Sequence, residues 1–532
     1  MSRNIIEEIS SLRAAGQLNN AVEKANRSIV SIPADKTLWL LTGVLYCESK
    51  NYSTGLRCLT VASRLDGSNI QVWINVALAY RRLDQHVAAL EAAKRAWLLA
   101  PDNVQVNLAA SRYVASKDLD ARSAESNSPI CERALRVDPC AFEIVYCLAG
   151  LRKKCGYLEQ AAEYYRKAVS LAPDTAQCLL PFAGVLAELT MFDSARVIYN
   201  WVLCLEPDNV DAGYHLSLVQ LRQGDFQQGW LNYEHRWHAA VGRHHLKSIL
   251  GFRASRPDYR EGGASKRILL WGEQGVGDEI MFGRLIGEFI PKCQELFVQI
   301  DFRLVGLFSR AYPDVKFFSH EDHLTVESYD EQLPLGSLGR ILRPTLASFR
   351  GKGGGFIAAQ TGSADRARDE LGLSKKEFLI GLCWRSANPE NRVMRSIPLE
   401  VLLSGIPDGG QRFVNLQYGD VSAEFASLCP SVRARLLRHP TIDLTADLEG
   451  VSSVIEACDL VITVGNTVAH LSGALGKRSW VLLPQVAGWR WMHGSRDSVW
   501  YDSTRLFRQQ ERGNWSDVLS AIRTAFLDEI CH

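Results

Sequence analysis

This chain has almost no net charge, no long apolar run and no secretory signal pattern. Its 60 Lys and Arg residues nearly balance 59 Asp and Glu residues, and the net charge of +1 argues against a broad electrostatic grip on nucleic acid. No run approaches the roughly 20 apolar residues that cross a bilayer, and the N-terminus lacks the basic-then-apolar pattern of a signal peptide. We therefore predict a cytoplasmic protein with no membrane span and no nucleic-acid partner.

Cysteine pairs with metal-type spacing are missing as well. The 13 cysteines are scattered, no C-x-x-C occurs, and several lie on apolar helical faces, among them Cys147 and Cys204. Buried free thiols are typical of proteins in a reducing compartment. Hydrophobic residues, in contrast, make up 47% of the chain and charged residues 22%, so compact cores are expected. A chain of 532 residues should form about two to four domains.

The first half has a repeat with a period of 34 residues. Five residues return one period later: Trp39, Gly43, Tyr46, Gly55 and Ala62 recur as Trp73, Ala77, Tyr80, Ala89 and Ala96. The turns between units contain Pro33, Gly67, Pro101, Pro139, Pro173 and Pro207. Small residues suit the close crossing of two antiparallel helices, and a proline ends a helix because it cannot continue the hydrogen-bond ladder. The period predicts a helical array over residues 1–240, in about six units plus a cap.

Two details of the array depart from strict repetition. The interval from Pro101 to Pro139 is 38 residues, and the polar stretch 123–128 is predicted to hold the four extra residues as a loop. Asn75 has Leu41 and Cys147 at the equivalent positions of other units. No ladder of asparagines that grips a peptide backbone is therefore predicted.

This pattern resembles the tetratricopeptide repeat. Such an array presents a concave groove that usually binds protein or peptide, so the resemblance implies a protein partner in that groove. The alternative is an array that only supports the second half of the chain or mediates self-association.

The second half alternates strand-like and helix-like segments. Apolar runs predict strands at residues 268–271, 296–300, 378–384, 413–416, 460–464 and 480–483, with helices at 279–290, 451–457 and 468–475. This alternation favours parallel sheets with helices on both faces. The glycine-rich and then charged stretch 351–369 predicts a linker or mobile loop between lobes 245–365 and 370–532. Two doubly wound lobes would bind ligands in the cleft between them, at the carboxyl ends of the strands.

A glycine-rich turn follows the first of these strands. It consists of Glu273, Gln274, Gly275, Gly277 and Asp278 with their neighbours, and it leads into a helix. Glycine lets a ligand approach the backbone closely, and a helix start offers free amides to an anion. Asp278 could reach a bound hydroxyl, or it could be a helix N-cap with no catalytic part.

Polar and basic residues follow the strands of the second lobe. After the strands at 378–384 and 413–416 come Arg385, Asn388, Arg392, Arg395 and Gln417. The three arginines could converge on a phosphate, because a guanidinium makes two parallel hydrogen bonds to it, or they could form an exposed basic loop.

A second turn, Gly465, Asn466 and Thr467, joins the strand at 460–464 to a helix that carries His470. Asn466 or Thr467 could cap this helix or bind ligand directly. Free amides at the helix start favour a phosphate, by about 0.3–2 kcal/mol. His470 could face the ligand or be structural.

Together the two turns resemble those of bacterial tetratricopeptide glycosyltransferases, whose C-terminal part has a two-Rossmann glycosyltransferase-B fold similar to heptosyltransferases. Segments 224–237 and 484–508 are similar to that group as well, so the resemblance extends over essentially the whole chain. It implies that Asp278 is the general base for the acceptor hydroxyl and that Arg395 lies near the residue that neutralises the donor phosphate.

The same resemblance places Asn466, Thr467 and His470 on the phosphate and sugar loop, with His470 acting in catalysis. The turn from Glu273 to Gly277, together with Arg385, Asn388, Arg392, Gln417 and Gly465, is then expected to bind substrate. Heptosyltransferases have Asp-Thr-Gly where this chain has Gly465, Asn466 and Thr467, which argues against a heptose donor.

The expected function is transfer of a sugar from a nucleotide-activated donor to a protein held by the repeats. No Asp-x-Asp motif occurs near the cleft, so metal-independent transfer is expected, with the nucleotide sugar as donor substrate and no other cofactor. The resemblance suggests flagellin as an acceptor and a CMP-linked nonulosonic acid as a donor. Two alternatives are a non-catalytic scaffold with a degenerate transferase domain and a transferase acting on a glycan or lipid-linked acceptor.

Overall fold

A computed structural model describes residues 2–114, 120–239, 266–322, 329–386 and 392–530 of the chain. The chain divides into two compact units, Met1–Ser194 and Ala195–His532. The boundary falls inside the predicted repeat array, so the last repeat helices belong to the same unit as the sheets. The predicted domain boundaries stay a prediction.

The first half is helical, as the period predicts. Its described part consists of α-helices Ser2–Ala14, Leu18–Ser31, Lys36–Glu48, Tyr52–Leu65, Ile70–Arg82, His86–Leu99, Val104–Val114, Ala121–Val137, Phe142–Lys154, Leu158–Leu171, Ala176–Glu188, Phe192–Leu205, Val210–Gln223 and Phe226–Tyr233. A 3-10 turn, Glu234–Trp237, follows them. Within the described ranges of the whole chain, no helix has the length and apolar character needed to cross a bilayer.

The repeats are built by contacts that recur at the same period. The side-chain nitrogens of Trp39 and Trp73 each donate to the carbonyl oxygen six residues earlier, at Pro33 and Gly67, over 2.8 Å. Gly43 is needed for close helix crossing, because a Cβ there would lie 2.6 Å from a side-chain atom of Leu59. The tryptophan contact recurs with the period, whereas the position of Gly43 is taken by Ala77, another small residue, one unit later.

The prediction of a loop at 123–128 is wrong. These residues lie inside helix Ala121–Val137, which has 17 residues against 14 in Tyr52–Leu65. Asp120 caps the helix by accepting from Ser123 N at 2.8 Å, and Asn127 Nδ2 donates to Ser123 O at 2.6 Å. Polar side chains that bond to nearby backbone groups are compatible with a helix, so polarity alone does not indicate a loop here.

The second half contains two parallel sheets, which confirms the predicted α/β class. The first sheet consists of β1 (Arg267–Trp271), β2 (Glu295–Ile300), β3 (Lys316–Ser319) and β4 (Glu331–Pro334), in the order β3-β2-β1-β4. The second consists of β5 (Leu379–Cys383), β6 (Arg412–Asn415), β7 (Leu436–Leu437), β8 (Leu460–Val464), β9 (Ser479–Leu483) and β10 (Thr504–Arg508). Its order is β10-β9-β8-β5-β6-β7. Strands β3, β4, β7 and β10 are not among the predicted ones.

Helices and short 3-10 turns separate the strands. The α-helices are Val276–Phe289, Phe302–Ala311, Leu338–Leu342, Ser363–Glu370, Leu399–Ser404, Ser422–Ser427, Pro430–Arg435, Leu448–Ala457, Thr467–Ala474 and Ser516–Glu529. The 3-10 turns are Ile290–Lys292, Leu335–Ser337, Leu346–Phe349 and Trp489–Trp491.

The order of the strands locates a crevice. Counted within its own sheet, the second sheet runs 3-2-1-4-5-6, the doubly wound order in which ligands bind where the winding reverses. That reversal lies between β5 and β8, and the first sheet reverses between β1 and β4. The two glycine-containing turns follow β1 and β8, so both lie at the carboxyl ends of strands beside a reversal point.

The predicted linker at 351–369 is confirmed in part: residues 351–362 form no helix or strand and connect the part of the chain that holds the first sheet to the part that holds the second, but they pack against the second lobe. Gly353 O accepts from Asp502 N, and Phe356 N donates to Ala474 O, each over 2.8 Å. The following residues form helix Ser363–Glu370. Glycine is required at Gly355 because a Cβ there would lie 3.0 Å from a backbone atom of the second lobe. The glycines therefore mark close backbone packing here.

The cysteines agree with the prediction of buried free thiols only in part, because the described cysteines are all free but not all buried. The 12 described cysteines form no disulfide, and Cys147 is buried as predicted. Cys204, predicted on an apolar face, is exposed.

Candidate functional site

The turns after β1 and β8 meet in the second unit. A Cβ added to Gly277 would lie 3.2 Å from His470 Cδ2 and 3.6 Å from Thr467 Oγ1. Gln274 and Gly275 both have positive φ, at 64° and 110°, so the first turn bends sharply. Nothing lies within 4 Å of a Cβ position on Gly275, which leaves open space beside the backbone.

Asp278 follows this bend as an acid in the first turn of helix Val276–Phe289, and its side chain is 13% exposed. The helix begins at Val276 with Gly275 as its N-cap, so the alternative of Asp278 as the N-cap is wrong. Its Oδ1 accepts a hydrogen bond from Arg490 Nε. Burial raises the pKa of Asp278 above its ordinary value, and the charge of Arg490 opposes that rise. A largely but not fully buried carboxylate with a raised pKa suits proton transfer.

Arg490 is a site residue that the sequence analysis did not assign. It lies in the 3-10 turn Trp489–Trp491, with its guanidinium 4.9 Å from the ring centre of Trp489. Its Nη2 is also 3.4 Å from Gln274 Oε1. The Trp-Arg-Trp sequence entered the family resemblance, but nothing local indicated a partner 212 residues away.

Further arginines form a series of electrostatic neighbours that starts at Asp278: Arg395 interacts with Asp278, Arg222 with Arg395, and Arg508 with Arg222. Burial lowers the pKa of Arg395, the charge of Arg490 lowers it further, and Asp278 offsets part of this. Burial lowers the pKa of Arg222 to about 10 and that of Arg508 to about 10. Arg508 Nη2 donates to the carbonyl oxygens of residues 491 and 492, at 2.9 and 2.6 Å. Guanidinium groups that disfavour one another's charge form a site suited to an anion.

His470 is buried and neutral. Its ring stacks on Trp491 with centroids 4.9 Å apart, and its Nδ1 is 3.1 Å from Tyr501 Oη. Burial lowers the pKa of His470 to about 3, and the charge of Arg490 acts in the same direction. An imidazole in this setting is uncharged at neutral pH, so it cannot supply a positive charge to a phosphate. Its predicted catalytic part stays a prediction.

Acid should destabilise the fold through His470. The unfolded chain binds a proton below about pH 6.5, whereas the folded chain does so only near pH 3, so stability is complete above pH 6.5 and falls as pH approaches 3. The expected slope is about 1.4 kcal/mol per pH unit. Hydrogen exchange of helix Thr467–Ala474, corrected for intrinsic rates and compared at pH 7 and 5.5, measures it. His470→Gln should reduce the dependence of stability on pH. His86→Gln changes an exposed histidine and should leave that dependence as it is. Equal pH dependence in the wild type and both variants would contradict the assignment to His470.

Glu273 is held inside the fold. Its carboxylate accepts from Arg236 Nε and Nη2, at 2.9 and 2.8 Å, from Gly336 N at 3.0 Å and from Gln274 Nε2 at 3.2 Å. Glu273 is 3% exposed and Arg236 2%. Four donors use the acceptor positions of a carboxylate, so Glu273 sets the shape of the turn. Its predicted substrate-binding role stays a prediction.

Arg236 joins three segments at the carboxyl edge of the first sheet. Besides Glu273, it donates to Glu234 Oε1 at 3.0 Å and to Ser337 Oγ at 2.8 Å. Its guanidinium also lies 4.1 Å from the ring centre of Trp237. The end of the repeat array is therefore part of the support of the glycine-rich turn. Gln274 adds to this connection through a hydrogen bond with Tyr233 Oη.

Asn466 caps helix Thr467–Ala474, the first of the two roles predicted for it. Its Oδ1 accepts from Val468 N at 3.0 Å and Ala469 N at 3.4 Å. Its Nδ2 donates to Cys383 Sγ at 3.0 Å and to Arg385 O at 3.2 Å. Two amides predicted to face a phosphate are therefore already satisfied, and an anion here depends more on the arginines. Direct ligand binding by Thr467 stays a prediction.

The remaining predicted residues lie at other places. Arg385 donates to Asp420 O at 2.9 Å, Arg392 is exposed, and Asn388 lies outside the described residues. Of the three arginines predicted to converge, Arg395 is the one coupled to Asp278. Gln417 Oε1 accepts from the backbone N of Trp384 and of Arg385, at 3.0 and 2.7 Å, which braces the turn after β5. Gly465 is required because a Cβ there would lie 2.8 Å from Trp491 Nε1.

A cavity of about 360 Å³ opens beyond the carboxyl ends of β6 and β7. It is lined by Asn415, Gln417, Tyr418, Gly419, Asp420, Val421, Arg438, His439, Ile442, Asp443, Leu444 and Thr445. Polar and charged side chains make up most of this lining, whereas sites for small molecules are mostly apolar with a few polar groups. Across the described ranges, no group of three or more His, Cys, Asp or Glu side chains is arranged to hold a metal ion.

Comparison with known proteins agrees with the helical array. The tetratricopeptide repeat profile matches residues 143–175. The chain contains at least this one tetratricopeptide repeat. It is 28% identical over 333 residues to Protein FlbA of Caulobacter vibrioides, and 25% identical over 185 residues to the human Protein O-mannosyl-transferase TMTC3. A crystal structure of YrrB, a tetratricopeptide-repeat protein, matches with 14% identity and a TM-score of 0.33, covering 36% of this chain and 98% of YrrB.

These relatives are matched only in part. The alignment with FlbA covers 59% of this chain and 54% of FlbA, and that with TMTC3 covers 35% of this chain and 18% of TMTC3. The chain thus spans about half the length of FlbA and less than a fifth of TMTC3.

Proposed function

We propose that the protein is a glycosyltransferase that moves a sugar from a nucleotide-activated donor to a protein acceptor. The observation that carries the proposal is the placement of Asp278, a largely buried carboxylate that interacts with Arg490 and Arg395 near the carboxyl ends of β1 and β8. A base and a set of guanidinium groups are what transfer from a phosphate-linked sugar requires. In this proposal the two sheets are the two lobes of a glycosyltransferase-B fold.

In the proposed reaction, the carboxylate and the guanidinium groups each have one role. The acceptor oxygen forms a bond to the anomeric carbon while the bond from that carbon to the phosphate oxygen breaks. The acceptor proton moves to Asp278, and the phosphate leaves with the bonding electrons. Arg395 and Arg490 stabilise the negative charge that grows on the phosphate, since donors placed in advance act most strongly in a partly dry site. The step needs no metal and no cofactor besides the donor.

The cavity at the ends of β6 and β7 suits the nucleoside of the donor. Neighbouring strands lie about 4.8 Å apart, so the cavity is roughly 12 Å from the end of β8. A nucleoside in the cavity would then place its phosphates near Thr467 and the arginines. Tyr418 and Leu444 offer apolar surface to a base, and Asp420 offers a carboxylate to ribose hydroxyls.

The acceptor is proposed to be a protein bound by the repeats. Arrays of this kind generally bind peptides or proteins, and the human relative is named a protein O-mannosyl-transferase. A serine or threonine hydroxyl is the proposed attacking group. Flagellin is the first acceptor to test, because the sequence resembles that of bacterial tetratricopeptide glycosyltransferases.

Two measurements on the full-length protein test the proposal. Nucleotide sugars are first screened by thermal unfolding, where a ligand at 100 times its dissociation constant should stabilise the fold by about 2.7 kcal/mol. Mass spectrometry then follows transfer to flagellin and to an oligosaccharide. We expect one nucleotide sugar to bind and a protein to gain its mass. Binding without any transfer would favour the scaffold, and transfer to the oligosaccharide alone would show the other acceptor class.

A further inference from the structure

The ion pair of Asp278 with Arg490 conflicts with the tasks proposed for both residues. The Nε and Nη2 atoms of Arg490 both lie against Asp278 Oδ1. A carboxylate held by a guanidinium is a weaker base, because the positive charge stabilises its ionised form. The Nε and Nη2 atoms that bind this carboxylate are the pair with which a guanidinium would bind a phosphate, so the closed pair occupies them. Neither residue can act fully while the pair is closed.

We propose that this ion pair is a lock that the donor opens: its phosphate takes Arg490, and Asp278 is released as the base. The inference rests on the proposed function, because it assigns the phosphate of a nucleotide donor to this cleft. Arg490 thereby becomes a donor-binding residue. The base gains full strength only after the donor is in place, so donor binding precedes activation of the acceptor hydroxyl.

The surroundings of the pair allow it to open. The side chains of Arg490 and Asp278 keep 21% and 13% exposure, so an entering anion can reach them. The flat ring of Trp489 lies 4.9 Å from the guanidinium carbon and offers a surface along which it can move. The only other contact of Arg490 with a side-chain oxygen among the described residues is a long one, 3.4 Å to Gln274.

A second ion pair on the same turn shows the opposite design. Arg236 and Glu273 are each only 3% exposed in their side chains. Arg236 donates to four different residues, and two of its nitrogens bind Glu273 at 2.8 and 2.9 Å. The pair of Arg236 with Glu273 is thus fixed by burial and by many hydrogen bonds. The pair of Arg490 with Asp278 is partly exposed and makes few hydrogen bonds.

Nucleotide binding to the full-length protein tests the lock. CMP, UDP, GDP and ADP are titrated by calorimetry, and the tightest is used with each variant. Asp278→Asn should tighten binding about tenfold, because Arg490 is no longer held, and Arg490→Gln should weaken it about tenfold. In the double variant the gain from Asp278→Asn should shrink to less than about twofold, since there is no guanidinium left to release. Asp278→Ser carries the same expectation as Asp278→Asn and replaces it if that variant does not fold.

The outcomes separate the lock from the proposed function. Tightening by the same factor with and without Arg490 would show simple repulsion between Asp278 and phosphate, and it would overturn the lock. Unchanged or weaker binding in Asp278→Asn would overturn it too, and in both cases the proposed function stands. Failure of all four nucleotides to bind the wild type would overturn both. Asp330→Asn and Arg267→Gln, which break an exposed pair at the start of β1, are the matched controls and should not change affinity.

Discussion

Asp278→Asn is expected to lower kcat for sugar transfer by about 10²–10⁴-fold, the usual contribution of a general base. The asparagine has nearly the same shape, so the turn after β1 should keep its conformation, but it cannot accept the acceptor's proton. Nucleotide affinity should not fall, because the phosphate is bound by arginines. The measurement is the single-turnover rate of transfer with saturating donor, followed by mass spectrometry of the acceptor.

Asp330→Asn is the matched control for this prediction. Asp330 is also a carboxylate paired with an arginine, Arg267, at 2.8 Å, but it lies at the amino end of β1 and its side chain is 41% exposed. Its loss should leave kcat within about twofold, since an exposed pair contributes little. A rate in Asp278→Asn equal to that of the control would remove Asp278 from the mechanism.

Arg236→Met is expected to destabilise the second unit by about 3–5 kcal/mol. The substitution keeps most of the side-chain volume but leaves the buried carboxylate of Glu273 without its partner, and an uncompensated buried charge is costly. Amides of helix Val276–Phe289 should exchange with solvent about two to four orders of magnitude faster, because 1.4 kcal/mol corresponds to a factor of 10. Hydrogen exchange measured by mass spectrometry resolves this segment within the whole chain.

Two further variants identify the cause. Arg236→Met combined with Glu273→Gln removes the unpaired charge and should recover a large part of the lost protection. Arg267→Met, in an exposed pair with Asp330, should cost no more than about 1 kcal/mol. No recovery in the double variant would mean that Arg236 stabilises the unit through packing against Trp237, which lies 4.1 Å from its guanidinium, and not through its charge.

The two turns could be predicted from the sequence, but the contacts of their side chains could be predicted only for some of them. Asp278 follows a buried strand and three nearby glycines, a local pattern, and the structure places it in the first turn of the helix that begins at the carboxyl edge of the first sheet. Glu273 belongs to the same pattern, yet its partner Arg236 is 37 residues away, so its buried ion pair could not be read from spacing. The sequence allowed Asn466 either to cap the helix or to bind a ligand. The hydrogen bonds from the backbone amides of residues 468 and 469 to its side chain show that it caps the helix.

Arg490 is the clearest example of a site residue whose partner could not be predicted from the sequence. Its contact with Asp278 joins residues 212 positions apart, and an arginine between two tryptophans carries no local sign of such a partner. Arg385 and Arg395 looked equivalent in the sequence. The backbone turn after β5 directs the first to Asp420 O, while the second is coupled to Asp278. Arginines that look alike in the sequence can be distinguished only by the direction in which the folded backbone points each side chain.

The sequence by itself determined the helical array and the parallel sheets, because both depend on patterns of neighbouring residues. A period of 34 with small residues and prolines builds helix pairs, and apolar runs between helices build buried parallel strands. Only the tertiary structure decided which carboxylate is fixed and which is accessible. That distinction depends on burial and on partners from distant strands and turns, and neither is encoded in local spacing.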